Sequence, residues 1–264
     1  MSYNAGMHDS GIIDFHCHLD DPCFEANRWQ LIDRCFTSGF SRLVTVVDPS
    51  NAQSAETTRK ILAYHGGIHS VIGAHPHQAD AYSNEIEKRI FAFYQDNKIL
   101  AVGEVGLDYH YNLSSHDNQI AVFKRQVAIA RDWSLPMVIH SRKAEEIVLK
   151  ILELEKFSNP VVFHCFTGDK QAASEILARG YYLSFSGIIT FKNAQLLREI
   201  VGMTPLRQLF SETDSPYLAP EPDRGKTNTP LAARQVVEKI AEIKQTDVAA
   251  VNVEINQNFQ RLGQ

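Results

Sequence analysis

Six residues of the types that hold metal ions are spread along this 264-residue chain: His16, His18, Glu104, His140, His164 and Asp214. Glu104 closes the run Leu100-Ala101-Val102-Gly103, His140 closes Met137-Val138-Ile139, and His164 closes Val161-Val162-Phe163. Asp214 follows Leu209-Phe210-Ser211-Glu212-Thr213, and the two remaining histidines belong to Asp14-Phe15-His16-Cys17-His18. Apolar, β-branched runs of this length read as buried strands. A buried imidazole or carboxylate is costly unless it is paired or coordinated. Six of them at the ends of separate strands are accounted for most simply if they meet at a metal site.

The elements that would bring them together are legible. Eight short apolar runs, at residues 12–19, 42–47, 69–74, 99–104, 136–140, 160–166, 181–185 and 208–213, alternate with amphipathic segments. Strands buried on both faces, each followed by a helical period, indicate a parallel sheet. Eight such units predict an α/β protein, a (β/α)8 TIM barrel whose metal site lies at the C-terminal rim of the strands. Residues 118–133 carry Ile120, Phe123, Val127, Ala130 and Trp133 at helical spacing, Thr229-Pro230 signals a helix start, and a last helix begins at Asp247. With no Ser/Gly-rich linker or repeat, residues 11–264 read as a single domain behind a loose N-terminal extension over 1–10.

Composition narrows the function. At 44% hydrophobic and 22% charged residues the chain is of the globular class, and a formal net charge of −5 supplies no global cationic field. That argues against a chromatin-like binder and leaves a nuclease open, since its contacts to nucleic acid are local. The four cysteines form no Cys-x-x-Cys pair, which suits reduced thiols in the cytoplasm. The polar first ten residues lack the apolar core of a signal peptide. No apolar stretch is long enough to cross a bilayer, so no membrane partner is expected, and no obligate protein partner is evident.

Strand alternation sends Asp14, His16 and His18 into the barrel and Ile13, Phe15 and Cys17 toward the helices. The same rule turns Cys165 away from its neighbour His164, so both thiols read as small buried residues. Glu212 shares a face with Asp214, where it either orients a ligand or is a satisfied buried carboxylate. Four imidazoles and two carboxylates exceed the needs of one tetrahedral ion, and two divalent ions bridged by Glu104 use the set better. Nitrogen-rich ligation favours zinc or manganese over magnesium, without fixing which ion serves. Such ions would activate water as the nucleophile, and no Gly-x-Ser-x-Gly elbow or P-loop competes.

The chain resembles the TatD family of metal-dependent deoxyribonucleases among the amidohydrolase-like TIM barrels. The matching pieces are Asp14-Phe15-His16-Cys17-His18-Leu19, Gly73-Ala74-His75-Pro76-His77, Gly103-Glu104-Val105-Gly106-Leu107-Asp108-Tyr109 and Leu135-Pro136-Met137-Val138-Ile139-His140-Ser141-Arg142. Further on come Phe163-His164-Cys165-Phe166-Thr167-Gly168, Phe185-Ser186-Gly187-Ile188-Ile189-Thr190-Phe191 and Glu212-Thr213-Asp214-Ser215-Pro216-Tyr217-Leu218-Ala219-Pro220. They occur in order over almost the whole chain after residue 11. Lys143, where many members carry an acid, and Phe15, where a small polar residue is commoner, depart from the pattern.

The resemblance implies that His16, His18, Glu104 and Asp214 hold one ion while Glu104, His140 and His164 hold a second. It implies phosphodiester hydrolysis, commonly 3′ to 5′ exonuclease action on DNA ends, with single-stranded DNA the expected partner and Mg, Mn or Zn the candidate ions. Glu104, Asp214 and His75 are then the catalytic candidates, His75 at the substrate phosphate; from the residues alone, His75 and His77 equally read as a capped strand end. Asp108 is either a substrate-facing or ligand-fixing residue or a turn former. Arg142, Lys143, Lys192, Arg224 and Lys226 either form a phosphate-binding rim, with Arg224 and Lys226 the best fit to the family, or are solvated loop cations. The same apparatus would also serve a C–N or ester bond, as in an amidohydrolase or deacylase. A noncatalytic metal or nucleic-acid binding protein is the remaining class, and the intact six-residue set argues against it.

Overall fold

The structure is a computed structural model that describes residues 10–97 and 99–263. The extension expected over residues 1–10 lies, apart from Ser10, outside the described residues. Eight strands form the sheet: β1 (Ile12–Cys17), β2 (Phe40–Val47), β3 (Ile68–Ile72), β4 (Ala101–Asp108), β5 (Met137–Arg142), β6 (Val161–Phe163), β7 (Tyr182–Phe185) and β8 (Leu209–Ser211). Between and after them run α1 (Arg28–Thr37), α2 (Ala52–Tyr64), α3 (Asn84–Asp96), α4 (His116–Asp132), α5 (Glu145–Leu154), α6 (Lys170–Ala178), α7 (Gln195–Met203), α8 (Ala233–Lys244) and α9 (Val248–Leu262).

Each strand pairs in parallel with the next, in the order β1 to β8. The ring closes where the chain beyond β8 returns to β1. There Asp214 N donates to His16 O at 2.9 Å, His18 N donates to Ser215 O at 2.8 Å, and Cys17 bridges Ser215 in parallel. The (β/α)8 barrel predicted from eight apolar runs is the architecture found. Every position of β1, β4, β7 and β8 is buried, as expected for strands covered by helices on one side and barrel interior on the other.

Alternation sorts the side chains of β1 as expected. Phe15 points outward, stacks on Phe210 of β8 at 4.1 Å and meets Phe259 of α9 edge-on at 6.4 Å, so the last helix seals the first and last strands. Cys17 also faces outward, its thiol donating to Val44 O. Asp14, His16 and the barrel end of β8 occupy the inner side, where Thr213 Oγ1 donates to Asp14 Oδ2 at 2.6 Å and Thr213 N donates to Asp14 Oδ1 at 2.8 Å. Burial pushes the Asp14 carboxyl well up, against the Thr213 hydrogen bonds that pull it down.

Element ends shift by a few residues from the sequence reading, and two of the shifts have a clear local cause. Strand β4 runs four residues past Glu104, because Val105 and Leu107 keep the outward apolar alternation while Glu104, Gly106 and Asp108 take the inward side. Gly106 has φ +143°, and a Cβ there would come within 2.0 Å of His140 O, so the close approach of β4 to β5 requires glycine at this point. At the other end of the chain, Thr229 makes no side-chain cap; Pro230 opens a single 3₁₀ turn over Pro230–Ala232, and α8 begins at Ala233.

Candidate metal centre

Glu104 is the hub. Its Oε1 lies 2.8 Å from His164 Nε2, 2.9 Å from His140 Nδ1 and 3.3 Å from His75 Nε2, while Oε2 lies 3.4 Å from His16 Nε2. Asp214 Oδ1 stands 3.4 Å from His18 Nε2 and 3.8 Å from His16 Nε2. The two oxygens of one carboxylate therefore face two donor sets, with His140, His164 and His75 on one side and the His16, His18 and Asp214 group on the other. Donor atoms of His16, Glu104 and His164, and those of His16, His18 and Asp214, each fall within 4.8 Å of one another. The six residues expected to converge do converge, and His75 joins them.

A divalent ion suits these residues on the chemistry of His16. Its side chain is fully buried, and neither ring nitrogen has a hydrogen-bond partner among the described residues. The ring stacks on His164 at 3.8 Å, which holds its plane without satisfying its nitrogens. An unpartnered buried imidazole costs about 1–3 kcal/mol, and a cation between it and the carboxylates removes that cost.

The charges around Glu104 are strongly coupled. Burial would raise its carboxyl, but the neighbouring imidazoles, His164 and His75 first, hold it well below the usual range. Burial would lower His164, and the Glu104 and Glu212 carboxylates instead hold it well above the ordinary histidine value. For His16 burial prevails and the value falls, as it does for His75. His18 and His140 are raised against burial, the first by Asp214 and the second by Asp108 and Glu104.

Local sequence explains how each side chain is aimed. The end of β3 is pinned by Gln126 of α4, whose amide accepts from Ala74 N at 2.6 Å and donates to Ala74 O at 2.9 Å. A Cβ on Gly73 would meet Val105 Cγ1 at 2.3 Å, so this approach also needs glycine. His75 then caps a 3₁₀ turn, its Nδ1 accepting from His77 N at 3.2 Å. The capping reading of this histidine holds, and its Nε2 lies 3.3 Å from Glu104 Oε1. Glu212 orients His164, its Oε1 lying 3.1 Å from His164 Nδ1 while its Oε2 accepts from Ser184 Oγ at 2.5 Å.

Asp108, the last residue of β4, is buried at the end of the strand instead of lining the cavity. It has no exposed surface, its Oδ2 is 3.0 Å from His140 Nε2 and 2.8 Å from His77 Nε2, and its Oδ1 accepts from His110 N and Tyr111 N. Of the readings open for Asp108, the ligand-fixing one describes Oδ2 and the turn-forming one Oδ1, while with no exposed surface the side chain is not substrate-facing. His77, which the sequence reading left outside the site, is thereby placed beside His75 and His140, the three offering donor atoms within 4.8 Å. The repeat of His at positions 75 and 77, two apart like His16 and His18, was the available signal.

Three further expectations change. Cys165 does not turn away from His164: it takes φ +42°, its thiol meets Ser186 Oγ at 3.2 Å, and it lines the central cavity. Alternation fails there because β6 ends at Phe163 and the chain leaves strand geometry before residue 165. Arg142 lines the same cavity of about 500 Å³, with its guanidinium 4.9 Å above the Tyr111 ring. Arg224 and Lys226 do not line it. The loop beyond β8 carries them away, Arg224 over Phe191 at 4.3 Å and Lys226 into a 2.7 Å pair with Asp223. Lys143 faces a separate polar groove between α5 and α6.

A cluster of histidines and carboxylates at the C-terminal ends of the strands lies where TIM-barrel enzymes carry their active sites. Residues 13–264 match the family described as TatD related DNase, and the chain belongs to that family. An uncharacterized metal-dependent hydrolase of Bacillus subtilis, YabD, is 35% identical over 253 residues, covering 95% of this chain and 98% of that one. The uncharacterized metal-dependent hydrolase YcfH of Escherichia coli K12 is 35% identical over 260 residues, covering 95% of each. A solved TatD homologue from Escherichia coli K12 superposes with a TM-score of 0.87 at 23% identity, covering 97% of this chain and 98% of that one, which is a likeness of fold. The protein is thus a metal-dependent hydrolase of the TatD family. Among the described residues no helix is long and apolar enough to cross a membrane.

Proposed function

We propose that the protein hydrolyses phosphodiester bonds at DNA ends, acting on single strands from the 3′ end with two divalent ions. The reading rests on one observation above all: Glu104 presents one oxygen to His140 and His164 and the other to His16, the arrangement a bridging carboxylate needs. His16, His18, Glu104 and Asp214 would hold one ion and Glu104, His140 and His164 the other. When bound, the ions supply an acidified water at neutral pH and positive charge for the phosphoryl oxygens.

The chain's own groups complete the chemistry. Water adds to phosphorus as the P–O3′ bond breaks; Asp214 takes the water proton, and the departing 3′ oxygen takes a proton from solvent. The Nδ1 of His75 accepts a backbone N–H, so the neutral ring carries its proton on Nε2, which faces Glu104 Oε1 at 3.3 Å; with Glu104 engaged by the ions, that proton would be free to donate to a phosphoryl oxygen. Burial lowers this histidine and favours that neutral form. Arg142 stands where the strand's next phosphate would pass.

The test is to incubate end-labelled single-stranded DNA and RNA with the protein in separate Mg, Mn and Zn salts and size the products. Loss of a 3′ label as mononucleotide, only when an ion is present, supports the reading. Turnover of amide or carboxylic ester substrates with no nucleotide release would replace it by the C–N or ester hydrolase alternative.

A further inference from the structure

The cavity over Glu104 has two lobes of opposite character. His18, His75, His77 and Glu104 border both. The larger, of about 500 Å³, continues past Tyr111, Arg142 and Tyr217. Its lining carboxylates are Glu104 and Asp214 alone, both already in the proposed ligand set. The smaller, of about 240 Å³, continues under the ends of β1, β2 and β3 past Asp20, Asp48 and Gln78, over Val46 and Val47, with no lysine or arginine in its wall.

The polar walls of the smaller lobe are firmly placed. Asp20 Oδ2 accepts from Ser54 Oγ at 2.5 Å, and the same hydroxyl accepts from Asp48 N at 3.0 Å, so Ser54 ties the two acidic segments together. Asp48 Oδ1 accepts from Ser50 N at 2.8 Å, and Oδ2 accepts from Gln78 Nε2 at 3.1 Å. In the larger lobe Tyr111 and Tyr217 are 53% and 55% exposed and rest edge-on against site histidines, Tyr111 on His77 and Tyr217 on His18. Exposed rings beside a cation are the surface on which unpaired bases stack, and an arginine is the partner of a backbone phosphate. Carboxylates repel a phosphate and accept hydrogen bonds from a hydroxyl.

Resting on the function proposed above, we infer that the smaller lobe is the subsite for the terminal nucleoside, and that Asp20 and Asp48 make it selective for an end that carries a free hydroxyl over one that carries a phosphate. The polymer lies across the larger lobe, with bases on Tyr111 and Tyr217 and a phosphate at Arg142. The scissile phosphate sits between the lobes, over Glu104. A strand that continued through the smaller lobe would drive its next phosphate against two carboxylates, so the same feature that reads the end disfavours cleavage in mid-strand.

The experiment compares two 5′-labelled oligonucleotides of one sequence, one ending in a 3′-hydroxyl and one in a 3′-phosphate, in the ion that supports turnover. The expected result is that the wild-type protein shortens the 3′-hydroxyl strand at least about tenfold faster. In Asp20→Asn and Asp48→Asn, which keep the side-chain shape and an acceptor oxygen, that ratio narrows toward one. Equal wild-type rates on the two ends overturn the inference while leaving the nuclease reading intact. So does a ratio unmoved in both variants when their thermal transitions match that of the wild type. Release from neither strand overturns the nuclease reading and this inference with it.

Discussion

Asp108 Oδ2 lies 3.0 Å from His140 Nε2, on the far side of the ring whose Nδ1 faces Glu104 at 2.9 Å. A carboxylate on one nitrogen keeps the proton there and leaves the other free to coordinate. Asp108 is held in turn by two backbone N–H groups and by Gln119, which accepts from Asp108 N and donates to Asp108 O.

Asp108→Asn should therefore weaken metal binding while leaving the fold in place, since an amide retains an acceptor for the His110 and Tyr111 N–H groups. The expected loss is about 10–100-fold in affinity for one of the two ions. Isothermal titration of the metal-free protein with Mn reads it directly. An unchanged two-ion isotherm would show that His140 needs no such orientation.

Removing the hub should do more. Glu104→Ala takes away the oxygen shared by His140 and His164 and the one facing His16. Turnover should fall at least about 10³-fold, and elemental analysis should find the bound ion content reduced. Asp214→Ala should abolish turnover likewise. Both variants should keep the wild-type circular dichroism spectrum; wild-type rates in either one would refute the site assignment.

The histidine cluster gives the metal-free protein a characteristic pH dependence. His164 is raised by Glu104 and Glu212 beyond what burial takes away, so its contribution to stability is full below the unfolded histidine value and fades as pH rises through its folded value. Glu104 and Asp214 are held low, so theirs is present above the unfolded carboxylate values and fades as pH falls through the depressed ones. A bound ion must displace the His164 proton, so its own stabilisation grows with pH. The gap in Tm between Mn-loaded and metal-free protein should widen as pH rises from about 5.5, below the ordinary histidine value, toward the raised His164 value. A gap that is flat or narrows would remove the histidines from the ligand set.

Gly106→Ala tests the path of β4. At φ +143° and 2.0 Å from His140 O, an added Cβ must push β4 away from β5. The expected cost is roughly 2–4 kcal/mol, measured by urea denaturation, together with weakened metal binding because Glu104 and Asp108 flank the moved residue. A variant as stable as the wild type would mean that the ladder yields there without strain.

Most of the centre is legible in the sequence, because each ligand closes or follows a run of apolar residues whose only stable home is a buried strand. The barrel came from the count and spacing of those runs, and Glu212 beside Asp214 from alternation. Alternation failed at Cys165, where a left-handed residue just past β6 turns the thiol toward the cavity. It was also cut short at Glu104, since an acid looked like the end of a strand that in fact continues through Val105 and Leu107. Arg224 and Lys226 were singled out by their fit to the family pattern after β8, and a sequence match says nothing about where a long loop carries its side chains.

The sequence by itself determined which runs form buried strands, and hence the fold and the types of donor it gathers, because hydrophobic patterning is a local property of the chain. Only the tertiary structure decided which oxygen of Glu104 meets which histidine, that Asp108 holds both His140 and His77, and that the cavity divides into an acidic and an aromatic lobe. Those relations join atoms from strands far apart in sequence, and their distances are set by how the barrel closes.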